Sequence, residues 1–282
     1  MRFRGRAIAW LTLFCIPALA PRAMAGTLND VPSCYAATHI QPADGRGYSR
    51  LLYVLIDQTV AWNRDIESAI MDNLNQNLTP GTKFVIADFS AFSQGRYLDV
   101  LHTGIIEAPM PASQIGGTPI ESAKLLSACL AGQLPYAAKM ADDATVDALA
   151  GSSGSLANSD ILSALAQISS AIAADPAPGK AVFLASDGLE NSAVTSFYRR
   201  GAIRDIGPAR ELARAKAAGL LGNFGGAKIF VIGGALPPPG AAPYEGPSVL
   251  AHLAAFWSRY FELSNAQLVA FGEPALLQPL RF

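Results

Sequence analysis

Apolar residues fall along this chain in short solid runs, separated by stretches where they recur every three or four positions. A solid run bounded by turn residues predicts a strand buried on both faces, and the wider spacing predicts a helix with one apolar stripe. "LLYVLID" at residue 51 reads as the first such strand. After it, "NRDIESAIMDNLNQNL" places Ile66, Ile70, Leu74 and Leu78 on one helical face. "TPGT" ends that helix, "KFVIADFS" is a second strand, "AFSQG" a turn and "RYLDVLHTGII" a third strand. So short a link cannot hold a crossover helix, so these two strands are expected to pair antiparallel.

The pattern changes between about 108 and 158, where "EAPMPASQIGGTP" is loop-like, "IESAKLLSACLAGQL" is helical and "ALAGSSGSLANS" is a loop of small residues. This segment reads as a helical insertion. Alternation then resumes: helix in "DILSALAQISSAIAA", strand in "AVFLASDG", a long helical stretch in "GPARELARAKAAGLLGNFGG" and strand in "AKIFVIGGA". The proline-rich loop "LPPPGAAPYEGP" leads to a helix in "SVLAHLAAFWSRYFELS" and a last strand in "AQLVAFGEPAL". Strands alternating with helices predict an α/β fold, a doubly wound, mostly parallel six-stranded sheet with one antiparallel edge strand and helices on both faces.

The amino terminus changes which residues belong to that fold. "MRFRGR" is basic, "AIAWLTLFCIPALA" is apolar and "AMA" precedes Gly26, so residues 1–25 are expected to be a cleavable signal peptide, removed after Ala25. The expected location is periplasmic or secreted. Residues 26–50 then form an extension, and 51–282 the domain. The leader takes Arg2, Arg4, Arg6 and Arg22 out of the 21 basic residues, leaving 17 against 22 acidic ones. An acidic chain without a basic run argues against nucleic acid as partner, and no later stretch is long and apolar enough to span a bilayer. Cys15 leaves with the leader, and the two cysteines that remain, Cys34 and Cys129, are expected to pair in an oxidising compartment.

Chemistry gathers at three loops. They carry Asp57 and Thr59 in "IDQTVAW", Ser159 in "ANSDILSAL" and Asp187 in "FLASDGLEN". Parallel strands bring such loops to one edge of the sheet, where open α/β folds take their ligands. Two carboxylates and two hydroxyls without nitrogen or sulfur suit a hard divalent cation, Mg²⁺ above all, with Mn²⁺ or Ca²⁺ as substitutes.

With these residues in hand, the chain from 51 to about 275 resembles the von Willebrand factor type A family. That family's metal-ion-dependent adhesion site combines D-x-S-x-S after the first strand, a threonine before a later helix and an aspartate in a "DG" turn. The resemblance implies that Asp57, Thr59, Ser159 and Asp187 hold the metal. Thr118 in "GGTPI" competes with Ser159 for the middle position, and Ala61 stands where the family has its second serine. It also implies a protein partner that donates an acidic side chain to the cation. Phe197, Tyr198, Arg199, Arg200 and Tyr244, in loops beyond Asp187 and the following strand, are candidate contact residues.

Other readings of the same residues stay open. Thr59 and Ser159 are residue types that cap helices, and Asp57 one that accepts backbone N–H groups. A haloacid dehalogenase-like phosphotransferase would use Asp57 as nucleophile and Asp187 as metal ligand, although Lys180 lies seven residues before Asp187, at the wrong end of its strand. A metal-free structural component of an envelope assembly would use the same edge for permanent packing. Binding rather than catalysis is the favoured expectation.

Overall fold

The computed structural model describes residues 29–90, 98–156, 158–199, 202–236 and 246–282. The expected leader at 1–25 and the expected "AFSQG" turn lie outside the described residues. Eight strands and seven helices are defined among those described. In chain order they begin with α1 (Cys34–Ala37), β1 (Arg50–Asp57), α2 (Arg64–Asn77), β2 (Thr82–Phe89) and β3 (Asp99–Ile106). There follow α3 (Ala112–Ile115), α4 (Ile120–Ala150), α5 (Ile161–Ala174) and β4 (Gly179–Ala185). The remainder are β5 (Tyr198–Arg199), β6 (Ala202–Ile203), α6 (Pro208–Ala217), β7 (Ala227–Ile232), α7 (Pro247–Leu263) and β8 (Ala266–Phe271).

Six strands form one sheet in the order β3-β2-β1-β4-β7-β8. All neighbours run parallel except β2 and β3, which pair antiparallel at the edge. The strand period of two divides the core. Leu51, Tyr53 and Leu55 of β1 face α5, α6 and α7, whereas Leu52, Val54 and Ile56 face α2 and α4. β1 is buried along all but its first residue because both faces are covered.

Two helices differ in length from the sequence expectation, each for a local reason. Helix α4 does not stop before Pro135 but runs for 31 residues. Pro135 lies on its exposed side, where the carbonyl that loses its intrahelical N–H can turn to water. The opposite side carries Ala137, Ala141, Ala144 and Ala148, all buried, whose small size lets α4 lie close on the sheet. Helix α6 is shorter than expected, ten residues, because Gly219 turns into the left-handed region at φ 71°.

Cys34 and Cys129 are joined by a disulfide that ties α1 to α4 across 95 positions. A closed loop of that length stabilises by about 4–5 kcal/mol through the unfolded chain. No helix among the described residues is long and apolar enough to cross a membrane.

Candidate metal and partner-binding edge

Every residue of the candidate site is delivered by the carboxyl end of β1 or β4 or by the loop before α5. Asp57 is the last residue of β1 and is fully buried. Its Oδ1 accepts the Thr59 N–H at 3.0 Å and the Thr59 hydroxyl at 2.6 Å. Its Oδ2 accepts Ser159 Oγ at 3.0 Å and Ser186 Oγ at 2.8 Å. Three hydroxyls and one amide therefore converge on one carboxylate.

Neither Thr59 nor Ser159 is spent on a helix cap. Asn63 caps α2, its Oδ1 accepting from Ile66 N at 3.0 Å, and Asp160 caps α5, its Oδ1 accepting from Ser163 N at 3.1 Å. The polar residue next in line does the capping, so both hydroxyls are left to face Asp57. Thr118 is elsewhere: its hydroxyl donates to Gln114 O at 3.0 Å, in the segment that follows β3. The end of β3 pairs with the start of β2, so that segment belongs to the opposite edge of the sheet.

Asp187 follows β4 in the "SDG" turn. Its Oδ1 accepts the Leu189 N–H at 2.8 Å and its Oδ2 the Tyr198 hydroxyl at 3.2 Å. The glycine after it is required: Gly188 has φ 69°, and a Cβ there would lie 2.9 Å from Trp257 Nε1. That indole N–H donates to Gly188 O at 2.9 Å, fixing the turn from the α7 side.

The two carboxylates are electrostatically uncomfortable. Burial pushes the Asp57 carboxyl up, against the hydrogen bonds from Thr59, Ser186 and Ser159. Burial, and then the charge of Asp57, push Asp187 well up. No ion pair among the described residues includes either one. A bound cation would relieve both. The donor chemistry fits a hard ion: oxygen throughout, two carboxylates and three hydroxyls. No trio of His, Cys, Asp or Glu gathers among the described residues, so a cation here would rest on this smaller acidic pair and its hydroxyls. Ala61 is exposed and brings no oxygen.

Ser186 is the member that the sequence reading missed. Nothing local in "ASDG" marks it, because its role appears only once β4 is known to lie beside β1. Ser186 also accepts the Gly188 N–H at 3.1 Å, so it joins the "DG" turn to Asp57.

The candidate contact residues divide. Phe197 is not a surface residue: it is fully buried and packs edge-on against Phe256 at 5.0 Å. Tyr198 is half-buried, with its hydroxyl on Asp187, and Arg199 is exposed on the β5–β6 hairpin. Arg200 and Tyr244 lie outside the described residues. Lys180 donates to Ala173 O at 2.8 Å, at the start of β4 and away from Asp57.

No protein-family model and no curated protein matches the chain. Among solved structures it is similar to the TFIIH p34 N-terminal domain, at 13% identity and TM-score 0.33, over 81% of this chain and 93% of that one. It is also similar to an aerotolerance-related membrane protein from Bacteroides fragilis, at 12% identity and TM-score 0.30, over 79% and 92% respectively. Both likenesses are distant.

Proposed function

We propose that the chain is an exported protein-binding module of the von Willebrand factor type A kind, working through the carboxyl edge of its sheet with a divalent cation. The observation that carries this reading is the meeting of Thr59, Ser159 and Ser186 on buried Asp57, with Asp187 close enough to feel its charge. Hydroxyls aimed at an acid that no cationic side chain among the described residues neutralises suit a receptacle for Mg²⁺. Asp57, Thr59, Ser159 and Asp187 would hold the ion, with Ser186 orienting Asp57. The cation would neutralise the pair and leave a position for a carboxylate from the partner. Export is supported by the leader-like residues 1–25 and by the Cys34–Cys129 disulfide, a bond typical of oxidising compartments.

The test is thermal unfolding of the mature protein titrated with Mg²⁺ and with Mn²⁺, beside Asp187→Asn and Asp57→Asn. At a hundredfold excess over its dissociation constant a bound ion stabilises by about 2.7 kcal/mol. The parent is expected to respond and both variants to lose the response. A parent that melts identically with and without either ion sinks the metal reading and leaves an edge that packs without one.

A further inference from the structure

Beside the acidic pair the same edge carries a fan of arginines. Glu211, in the first turn of α6, is fully buried and accepts the Thr195 hydroxyl at 2.7 Å. Three guanidiniums surround it: Arg204 at 2.9 Å, Arg210 at 3.4 Å and Arg214 at 3.4 Å. Burial pushes the Glu211 carboxyl up, but the Thr195 hydrogen bond and Arg204 outweigh it and hold it below the usual glutamate value. One carboxylate against three guanidiniums leaves a local excess of two positive charges. Counting Asp205 as well, whose Oδ1 lies 2.5 Å from His252 Nδ1, the excess is still one positive charge.

The three arginines are not equivalent. Arg204 is committed: its Nε donates to Ser196 O at 2.6 Å, and its guanidinium lies over Phe197, 5.9 Å from the ring centre. Arg210 and Arg214 have side chains 62% and 49% exposed. Arg210 meets Glu211 through Nε alone, so both its terminal nitrogens are without an acceptor among the described residues. Arg214 uses only one terminal nitrogen, on Thr195 and Glu211. A planar fork with unused donors matches a carboxylate.

We propose that Arg210 and Arg214 form a second anchor for an acidic segment of the protein partner. The proposal rests on the reading of this edge as the binding face. Continuity with the first anchor is physical. Arg204 holds Ser196, Ser196 bridges to Asn191, and Asn191 bridges to Ser159. Two anchors on one edge select a partner with acids spaced along a segment rather than a single acid. Phosphate fits less well, because α6 begins with Pro208, which has no N–H, and the Arg210 and Glu211 amides already bond Gly207 O. A nucleic acid needs a longer basic stripe than two free guanidiniums provide.

The probe is a fluorescein-labelled decapeptide of alternating Glu and Ser, followed by anisotropy at about 50 mM salt, where surface charges are weakly screened. Arg210→Gln with Arg214→Gln leaves Glu211 its Arg204 and Thr195 partners, and a melt checks that it folds. Arg46→Gln with Arg281→Gln removes the same charge from exposed positions elsewhere. The arginine-fan variant is expected to weaken peptide binding about tenfold, the control variant to leave it unchanged, and the ratio between them to persist in EDTA. Equal affinities for the two variants, no binding of the peptide by the parent, or equal displacement by millimolar inorganic phosphate would each overturn the proposal. The metal reading fails separately, in the Mg²⁺ titration, so the two failures are distinguishable.

Discussion

The two ends of the sheet bury glutamates in the same kind of place and treat them oppositely. At the amino edge Glu107 reaches the start of α1. It accepts Cys34 N at 2.7 Å, Tyr35 N at 3.3 Å, Ser33 Oγ at 2.5 Å and Gln133 Nε2 at 3.1 Å. At the carboxyl edge Glu190 reaches the start of α5 and accepts Leu162 N at 3.0 Å, and burial pushes its carboxyl up to about 8. One edge surrounds its acid with donors and adds a covalent bond beside it. The other gives arginines to Glu211 but pairs Glu190, Asp57 and Asp187 with no cationic side chain among the described residues, and burial pushes all three carboxyls up. Perturbed acids of this kind are enriched at working sites and also occur in structural networks.

That contrast can be broken by experiment. The largest effect belongs to the amino edge: Cys34→Ser with Cys129→Ser is expected to cost about 3–5 kcal/mol in denaturant unfolding while leaving the Mg²⁺ response in place. Loss of that response in a still-folded variant would show that the edges are not independent. Gly188→Ala comes next, at about 2–3 kcal/mol, because alanine is strained at that positive φ and meets Trp257.

Glu190→Gln tests the under-compensated acid through pH. The folded carboxyl holds its proton up to about 8, against an ordinary value of 4.5, so Glu190 takes stability away as pH rises between those values. The glutamine variant lacks that decline. Its melting temperature should gain on the parent between pH 5 and pH 8, by the equivalent of about 3 kcal/mol; a constant gap contradicts the picture. The smallest effect is Asp187→Asn in EDTA, expected to stabilise by about 1 kcal/mol, because it removes the charge that Asp57 opposes. Destabilisation there would mean that the pair is already compensated without a cation.

Most of the strand order was written in local pattern. β1, β2, β4 and β7 are buried on both faces and so appear as solid apolar runs, and the short β2–β3 link dictated the antiparallel edge. Helix α4 was harder, because Pro135 looks like a stop signal and only the packed structure shows that its exposed side tolerates the lost N–H. At the site, Asp57, Thr59, Ser159 and Asp187 could be picked out by residue type and position after strands. Ser186 could not, since a serine inside an apolar run has no distinct signature until its neighbour across the sheet is known. Phe197 was misplaced for a related reason: a loop residue's burial depends on α7, about sixty positions away in the chain. The arginine fan is invisible in sequence because its centre is one glutamate among many.

Helix α4 gives the molecule a fixed internal length. At one clamp, near the middle of the helix, Gln133 Oε1 accepts the Glu107 N–H at 2.8 Å, one turn from the disulfide at Cys129. At the other, Gln58 Nε2 donates to Ala148 O at 2.6 Å, and Gln58 directly follows Asp57 in the chain. A single residue inserted between those clamps would turn everything beyond it by about 100° and advance it by about 1.5 Å. Ala141, Ala144 and Ala148 would leave the sheet, and larger neighbours would meet it. Related chains can therefore vary freely in their loops, but between Gln133 and Ala148 they should conserve a count of residues even where they conserve no particular residue.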